Sequence, residues 1–328
     1  AVPATGMTEA YSSTVIPPCL TGSVADSRWR EAMGLPARTI VTNNLGQSGQ
    51  SAAVLGAARF EAGYRHWTKE ALRLNPRAEL RWFNILQGTA NDNDAEGVYE
   101  AAATAIWSDI CHWVWEETGQ RPAPVFMQDG GRVNNGGSNW GVTLDQLKVV
   151  ENIGGLLGGP LYPYPVTDNN VHQGAYYTMI WSEMRSIAKV HAEMGFDWNL
   201  LPLAPTFTGN QVIVPFSLMP QERIVPWSDH PYADFGGVTD TGIILEGATF
   251  VSAEPSVDGR SLVITGSGPI TAVNHAFNRT GDYLASADGS NTNYMANRST
   301  WVTSRTFRSL MDPDYLHHRH LPSFSFAV

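Results

Sequence analysis

From Arg38 to Gly195, short β-rich runs alternate with longer runs of helical period, and this alternation restricts the fold more than any other feature of the chain. Two parallel strands can be joined only by a crossover of a dozen or more residues, normally a helix. Strand–helix repetition at this spacing therefore predicts a parallel sheet with helices packed on it, a three-layer α/β/α sandwich. Thr39–Thr42 reads as a first strand ending in the turn-prone Asn43-Asn44-Leu45-Gly46, and a helix follows from near Gln50 with Ala53, Leu55, Ala58 and Phe60. Pro76 closes that segment, and Glu79–Leu86 is a second strand. Val98, Ala102, Ile106, Ile110, Trp113 and Val114 share one face of a helix over 95–118, with Gly119 at its C-cap. A third strand over Ala123–Gln128, a helix over Thr143–Ile153, a strand near Leu161–Val166 and a long amphipathic helix from Tyr176 to Met194 complete the series.

Both ends of the chain differ from this middle. Residues 1–37 are rich in Pro, Ser and Thr, and Pro17-Pro18 and Pro36 interrupt regular structure, so they read as an extended arm lying on a neighbouring surface. Beyond Gly195 prolines recur and helical periodicity ends. Strands are predicted at Gln211–Phe216, Gly242–Leu245, Thr249–Val257, Ser261–Thr265 and Pro322–Val328, with Asp258-Gly259 as a type I′ hairpin turn. This half reads as a small β-sandwich. The organisation predicted is an arm over 1–37, an α/β domain over 38–198 and a β-sandwich domain over 199–328, which suits 328 residues.

Composition narrows the partners. With 21 Lys and Arg against 31 Asp and Glu the net charge is −10, and no basic run is present to follow a phosphate backbone, so nucleic acid is excluded as a partner. The longest apolar stretch, Ile106–Val114, is broken by Asp109 and His112 and is far shorter than the ~20 residues that span a bilayer. Membrane insertion is not expected. The first residues lack a basic and an apolar segment, which fits either a mature end after cleavage or a chain that carried no signal. Cys19 and Cys111 admit one disulfide or two free thiols and form no metal pattern. His317-His318-Arg319-His320 reads as an exposed loop, since no acidic or cysteine partner stands at metal-ligand spacing. No metal and no cofactor are called for.

Three polar blocks follow predicted strands, at the sheet edge where α/β folds bind ligands. Gly46-Gln47-Ser48-Gly49 sets a serine between a strand and a helix start, where helical N–H groups favour developing negative charge. Serine there is equally a preferred helix cap, and Ser51, the spare candidate, has a stronger case for capping than for catalysis. Asp168-Asn169-Asn170-Val171-His172 brings a histidine to the same edge, able to take a hydroxyl proton if a carboxylate or amide fixes its other nitrogen, or else to pack as a capping residue. Gln87-Gly88-Thr89-Ala90-Asn91-Asp92 supplies amides and a glycine N–H that could face an oxyanion, or a polar turn leading into a helix.

In order and context these blocks resemble the SGNH (GDSL-like) hydrolase superfamily, in its carbohydrate O-acetylesterase branch related to sialate O-acetylesterases and acetylxylan esterases. The first block is similar to that branch's Gly-Gln-Ser-Asn, the second in chain order to its Gln-Gly-Glu or the wider family's Gly-x-Asn-Asp, and the last to its Asp-x-x-His. The resemblance implies an SGNH-like α/β/α fold over residues 38–195, Ser48 as nucleophile, His172 as base, and Gly88 with Gln87 or Asn91 as oxyanion donors. Position 49 is Gly where the branch has Asn, no separate oxyanion glycine block is evident in residues 52–86, and the residue three before His172 is Asn169. The third triad member is thus open between Asp168 and Asn169.

Two functions follow. One is a serine esterase removing O-acetyl groups from a poly- or oligosaccharide. The other is a degenerate, SGNH-derived polysaccharide-binding or receptor-binding spike protein of a phage-like particle, because the second half also resembles the β-sandwich that follows SGNH domains in such particles. Eleven Trp and eleven Tyr suit stacking on sugar rings, although helix packing accounts equally for Trp107, Trp113 and Trp115. In either case the chain is expected to be secreted or associated with a particle or cell surface, with a cytoplasmic place left open. The N-terminal arm is then a route to a homo-oligomer or a virion assembly partner.

Overall fold

The computed structural model describes residues 18–40, 51–52, 61–85, 87–88, 91, 94–129, 141–165, 173, 175–231, 241–277, 284–285, 293–294 and 298–328. In the first part, α1 (Pro18–Ala32), α2 (Glu61–Leu74), β1 (Trp82–Ile85), α3 (Val98–Thr118), β2 (Ala123–Gln128), α4 (Gly141–Ile153), β3 (Leu156–Pro160) and α5 (Ala175–Glu193) follow one another. The three strands form one parallel sheet in the order β1-β2-β3. Its middle strand reads as a continuous apolar run because both of its faces are buried. Val125 and Met127 pack with Met184, Ile187, Ile180 and Trp181 of α5. Phe126 points the other way, into a core with Tyr99 and Ala103 of α3 and Val142, Val149 and Val150 of α4. Helices thus cover both faces, giving the predicted α/β/α layering. Gly119 closes α3 at φ 69°, donating its N–H to Trp115 O at 2.7 Å.

The second part is all β: β4 (Thr206–Thr208), β5 (Gln211–Pro215), β6 (Ile224–Pro226), β7 (Ile243–Glu246), β8 (Phe250–Pro255), β9 (Ser261–Gly266), β10 (Ala272–His275), β11 (Leu284–Ala285), β12 (Asn293–Tyr294), β13 (Trp301–Arg308), β14 (Leu316–His320) and β15 (Phe324–Ala327). They pair antiparallel as β4-β5-β9-β8, β15-β10-β7, β14-β13-β6 and β11-β12. One apolar core runs through both parts of the chain, joining Phe126, Leu157 and Val142 to Phe216, Leu262, Ile264 and Phe324.

Four expectations are corrected. Residues 18–32 are helical, with Pro18 in the first turn, where a missing N–H costs nothing. This helix lies on α5 through polar contacts: buried ion pairs join Asp26 to Lys189 and Arg30 to Glu193, Trp29 Nε1 donates to Glu183 at 2.8 Å, and Ser186 Oγ donates to Gly22 O at 3.1 Å. Only Trp29 adds a large apolar contact, in one cluster with Met184 and Ile187 of α5, so little in the sequence announces this helix. The strand that follows the helix over 141–153 is Leu156–Pro160 and not the 161–166 run, of which residue 166 lies outside the described residues. Gly158 is there because a Cβ would stand 2.5 Å from Met127 Sδ. The turn before β9 is not type I′, which needs positive φ at both central residues. Gly259 alone has positive φ, 71°, and its N–H closes a turn onto Ser256 O at 2.7 Å.

The fourth concerns His317-His318-Arg319-His320, which form β14 and are largely buried. His317 Nε2 meets Glu183 Oε2 at 3.0 Å, and Arg319 pairs with Glu222 and lies 4.5 Å over the Trp198 ring. The carboxylates these side chains need come from elements more than 90 residues away in sequence. Among the first expected elements, Thr39 and Ile40 are not in a strand, while 41–50 and 53–60 lie outside the described residues. Among the described residues no helix is long and apolar enough to cross a membrane.

Buried histidines give this fold an acid-sensitive side. His275 is fully buried between Pro322 O at 2.9 Å and Ser299 Oγ at 2.6 Å, and stacks on Phe324. Burial pushes its imidazole down to about 4, and pushes His320 well below the usual histidine range. The unfolded chain, with histidines near pKa 6.5, then binds more protons than the folded one below that pH, so stability falls as pH falls from ~6.5 toward ~4. For His275 alone the expected loss between pH 7 and pH 5 is about 2 kcal/mol, before carboxylates contribute. Urea unfolding at the two pH values measures it. A His275→Gln protein should be less stable at pH 7 yet lose less on acidification; equal losses would contradict the assignment.

Candidate active site

Parallel strands bring their carboxyl ends to one edge, and three polar groups emerge there. Gln87, Gly88 and Asn91 follow β1, Asp129 follows β2, and Tyr162 and Tyr164 follow β3. Of the residues predicted for catalysis, Gln87, Gly88 and Asn91 are described, and Ser48, Asp168 and His172 lie outside the described residues.

The ends of β1 and β2 are held by one buried amide. Gln146 of α4 donates Nε2 to Gln87 O at 3.0 Å and accepts the Asp129 N–H on Oε1 at 2.6 Å, so its carboxamide bridges the two strand ends. Tyr99 OH adds a second donor to Gln87 O at 3.0 Å. The chain then turns, with Asn91 N–H on Gly88 O at 2.7 Å. Asn91 Oδ1 accepts from Gln87 Nε2 at 2.5 Å and from the backbone N–H of Ala52 at 3.0 Å, and its Nδ2 donates to Asp94 Oδ2 at 2.5 Å. Asn91 is therefore a clasp. It fastens residue 52, just beyond the Gly46–Gly49 block, to the turn that carries Gly88, and one of its two amide hydrogens lies outside these bonds.

Gly88 is glycine for a local reason. Its φ is 155°, and a Cβ would stand 2.6 Å from Gln146 Nε2, 3.3 Å from Val142 Cγ2 and 3.5 Å from Asp129 Oδ2. The β part closes over this edge. Ser323 N–H donates to Gln128 Oε1 and Ser323 O accepts from Gln128 Nε2, both at 2.8 Å, and Tyr162 OH donates to Leu321 O at 2.8 Å.

No protein-family model matches this chain, and no curated protein sequence does. A likeness exists among solved structures. It is to a carbohydrate acetylesterase from Xanthomonas citri, with a TM-score of 0.52 and 16% sequence identity. The likeness takes in 88% of this chain, more than the residues before β4 can supply, so it includes both the α/β layers and the β part. This chain covers 65% of that structure, just under two thirds of its length. At this identity the likeness is one of fold.

Sequence reasoning missed Asp129, Gln128 and Gln146. Gln128 ends and Asp129 follows a correctly placed strand, and both could have been found by asking what stands at its carboxyl end; Gln146 sits inside a helix and gives no local signal. A second Ser–His contact, Ser299 with His275, lies in the β part. Both residues are 0% exposed, and the Ser299 hydroxyl also serves Thr241 O and the Trp301 N–H, so substrate does not reach it. Among the described residues no three His, Cys, Asp or Glu side chains gather as a metal site. Since the Gly88 backbone and its close approach to Gln146 both exclude a side chain, Gly88→Ala should lower stability by about 1–3 kcal/mol. An unchanged thermal midpoint would show that Gln146 moves aside freely.

Proposed function

We propose that this chain is a serine esterase of SGNH type that removes O-acetyl groups from a carbohydrate. The observation that carries the proposal is the Asn91 clasp, which holds the chain just after the Ser48 block against Gly88 at the carboxyl edge of the parallel sheet. Ala52 is four positions after Ser48, so their Cα atoms are at most about 14 Å apart. The fold likeness to a carbohydrate acetylesterase supports the same conclusion.

In this proposal Ser48 Oγ attacks the acetyl carbonyl while His172 takes its proton. The Gly88 N–H, with Gln87 or the remaining Asn91 amide hydrogen, donates to the oxyanion. The bond from the acetyl carbon to the sugar oxygen breaks, and that oxygen takes the proton from His172. Water then gives a proton to His172 and its hydroxyl to the acetyl carbon, releasing acetate as Ser48 regains its hydrogen.

Hydrolysis of p-nitrophenyl acetate tests this. Ser48→Ala should abolish turnover, and Ser51→Ala should leave most of it, because only Ser48 directly follows the predicted strand. Activity should rise with pH through the histidine titration near ~6.5, since the base must be neutral to accept the serine proton. Equal loss in both serine variants would remove Ser48 as nucleophile. Sugar binding without any hydrolysis would favour the non-catalytic polysaccharide-binding alternative, to which Gly49 and Asn169 already point.

A further inference from the structure

The hydrogen-bond ladder between β1 and β2 changes at the sheet edge. Ala123 N–H donates to Arg81 O at 2.8 Å, and Trp82–Ile85 stand opposite Ala123–Phe126 in one register. In a parallel pair such bonds are evenly spaced and recur with the two-residue period of the strand, so this register would place the Asp129 N–H on Gln87 O. The carboxamide of Gln146 stands there instead, accepting the Asp129 N–H on Oε1 at 2.6 Å and donating Nε2 to Gln87 O at 3.0 Å. It wedges the two strand ends apart while keeping both backbone groups paired. Tyr99 OH gives Gln87 O its second donor, at 3.0 Å, and both side chains are buried.

These two bonds decide where the next N–H points. The peptide between Gln87 and Gly88 is planar and trans, so its carbonyl and its N–H face opposite sides. With the carbonyl held toward β2, the Gly88 N–H is directed away from β2 and from the Asp129 carboxylate that follows that strand. Gly88 is buried, and among the described residues nothing accepts its N–H. A buried N–H without a partner is costly, and this one stands at the carboxyl edge, where such sheets bind ligands. A carbonyl that accepts two hydrogen bonds also polarises its peptide, which makes the N–H at the other end a stronger donor.

We infer that Tyr99 and Gln146 are positioning residues of the oxyanion site: through Gln87 O they aim and strengthen the Gly88 N–H that donates to the acetyl oxygen in the transition state. The inference rests on the esterase proposal and deepens it. Neither side chain touches the ester; each acts through one peptide.

The test uses the full chain and two readouts: kcat and KM on p-nitrophenyl acetate, and the carbonyl-carbon and amide-nitrogen NMR shifts of the 87–88 peptide. Labelling glutamine at its carbonyl carbon and glycine at its nitrogen marks only Gln87-Gly88 and Gln173-Gly174, and Gln173→Glu removes the second signal. Tyr99→Phe should lower kcat about 3–10-fold and Gln146→Met about 10–10²-fold, less than the roughly 10²–10³-fold that losing an oxyanion donor outright costs. KM should stay within about twofold of wild type, since the interaction is made only in the transition state. Both variants should move the two shifts upfield, as a carbonyl that loses a hydrogen bond does. The inference is overturned if the shifts stay in place, or if they move while kcat holds or the loss falls on KM. Should Gln146→Met fail to fold by circular dichroism, Tyr99→Phe, which removes one oxygen and keeps the ring, decides by the same criteria. If hydrolysis survives in Ser48→Ala, the esterase proposal falls, and the oxyanion role of this peptide with it; if Ser48→Ala is inactive and only the Tyr99 and Gln146 variants behave as wild type, the inference alone falls.

Discussion

The structure turns on α5, a helix buried almost all the way round, and on the carboxylate of Glu183 at its middle. That group accepts hydrogen bonds from Trp29 Nε1 of α1, the Ser309 hydroxyl, the backbone N–H groups of Leu310 and Met311, and His317 Nε2 of β14. Burial acts to raise its pKa, yet the His317 and Ser309 contacts hold the carboxyl below the usual carboxylate range. A charge in that place is tolerated only because donors surround it, and removing any one of them leaves the rest of the set worse satisfied. Three segments distant in sequence are in this way tied to one helix.

The candidate site depends on the same kind of bonding at smaller scale. Amides, not charges, set the spacing of its strand ends: Gln146 between Gln87 and Asp129, Asn91 between Ala52 and Asp94, and Gln128 against the backbone of Ser323. A carboxamide both donates and accepts, so one side chain can pair with two backbone groups that face each other across a gap. The edge of the sheet is thereby rigid, as the oxyanion donors of the proposed esterase need to be. The β part takes a share in this rigidity through Ser323 and Leu321, and its core is continuous with that of the α/β layers.

Elements built on apolar periodicity were legible before folding. The strand over 123–128 buries its apolar run, and the helices over 98–118 and 175–193 bury Ile110, Trp113 and Val114 and Ile180, Met184, Ile187 and His191 of their predicted faces, while Val98, Tyr176 and Met194 at the helix ends are exposed. The glycines at 88 and 119 were also marked in the sequence, as an edge residue and a helix end. Elements built on polar docking or close backbone contact were not legible. The helix over 18–32 presents Asp26, Trp29 and Arg30 to α5, and the strand over 156–160 contains a glycine forced by a methionine of the neighbouring strand. Neither was read from the sequence, because their reasons lie in other segments.

What the sequence by itself determined is the class of fold, because hydrophobic period and strand–helix alternation are local and dictate a covered parallel sheet. Tertiary structure decided which polar side chains meet. The buried place of the 317–320 histidines, the Asn91 clasp and the pinned backbone of Asp129 all depend on partners from other parts of the chain. Hydrogen bonds and ion pairs act over a few ångströms, and only folding brings such partners within that distance.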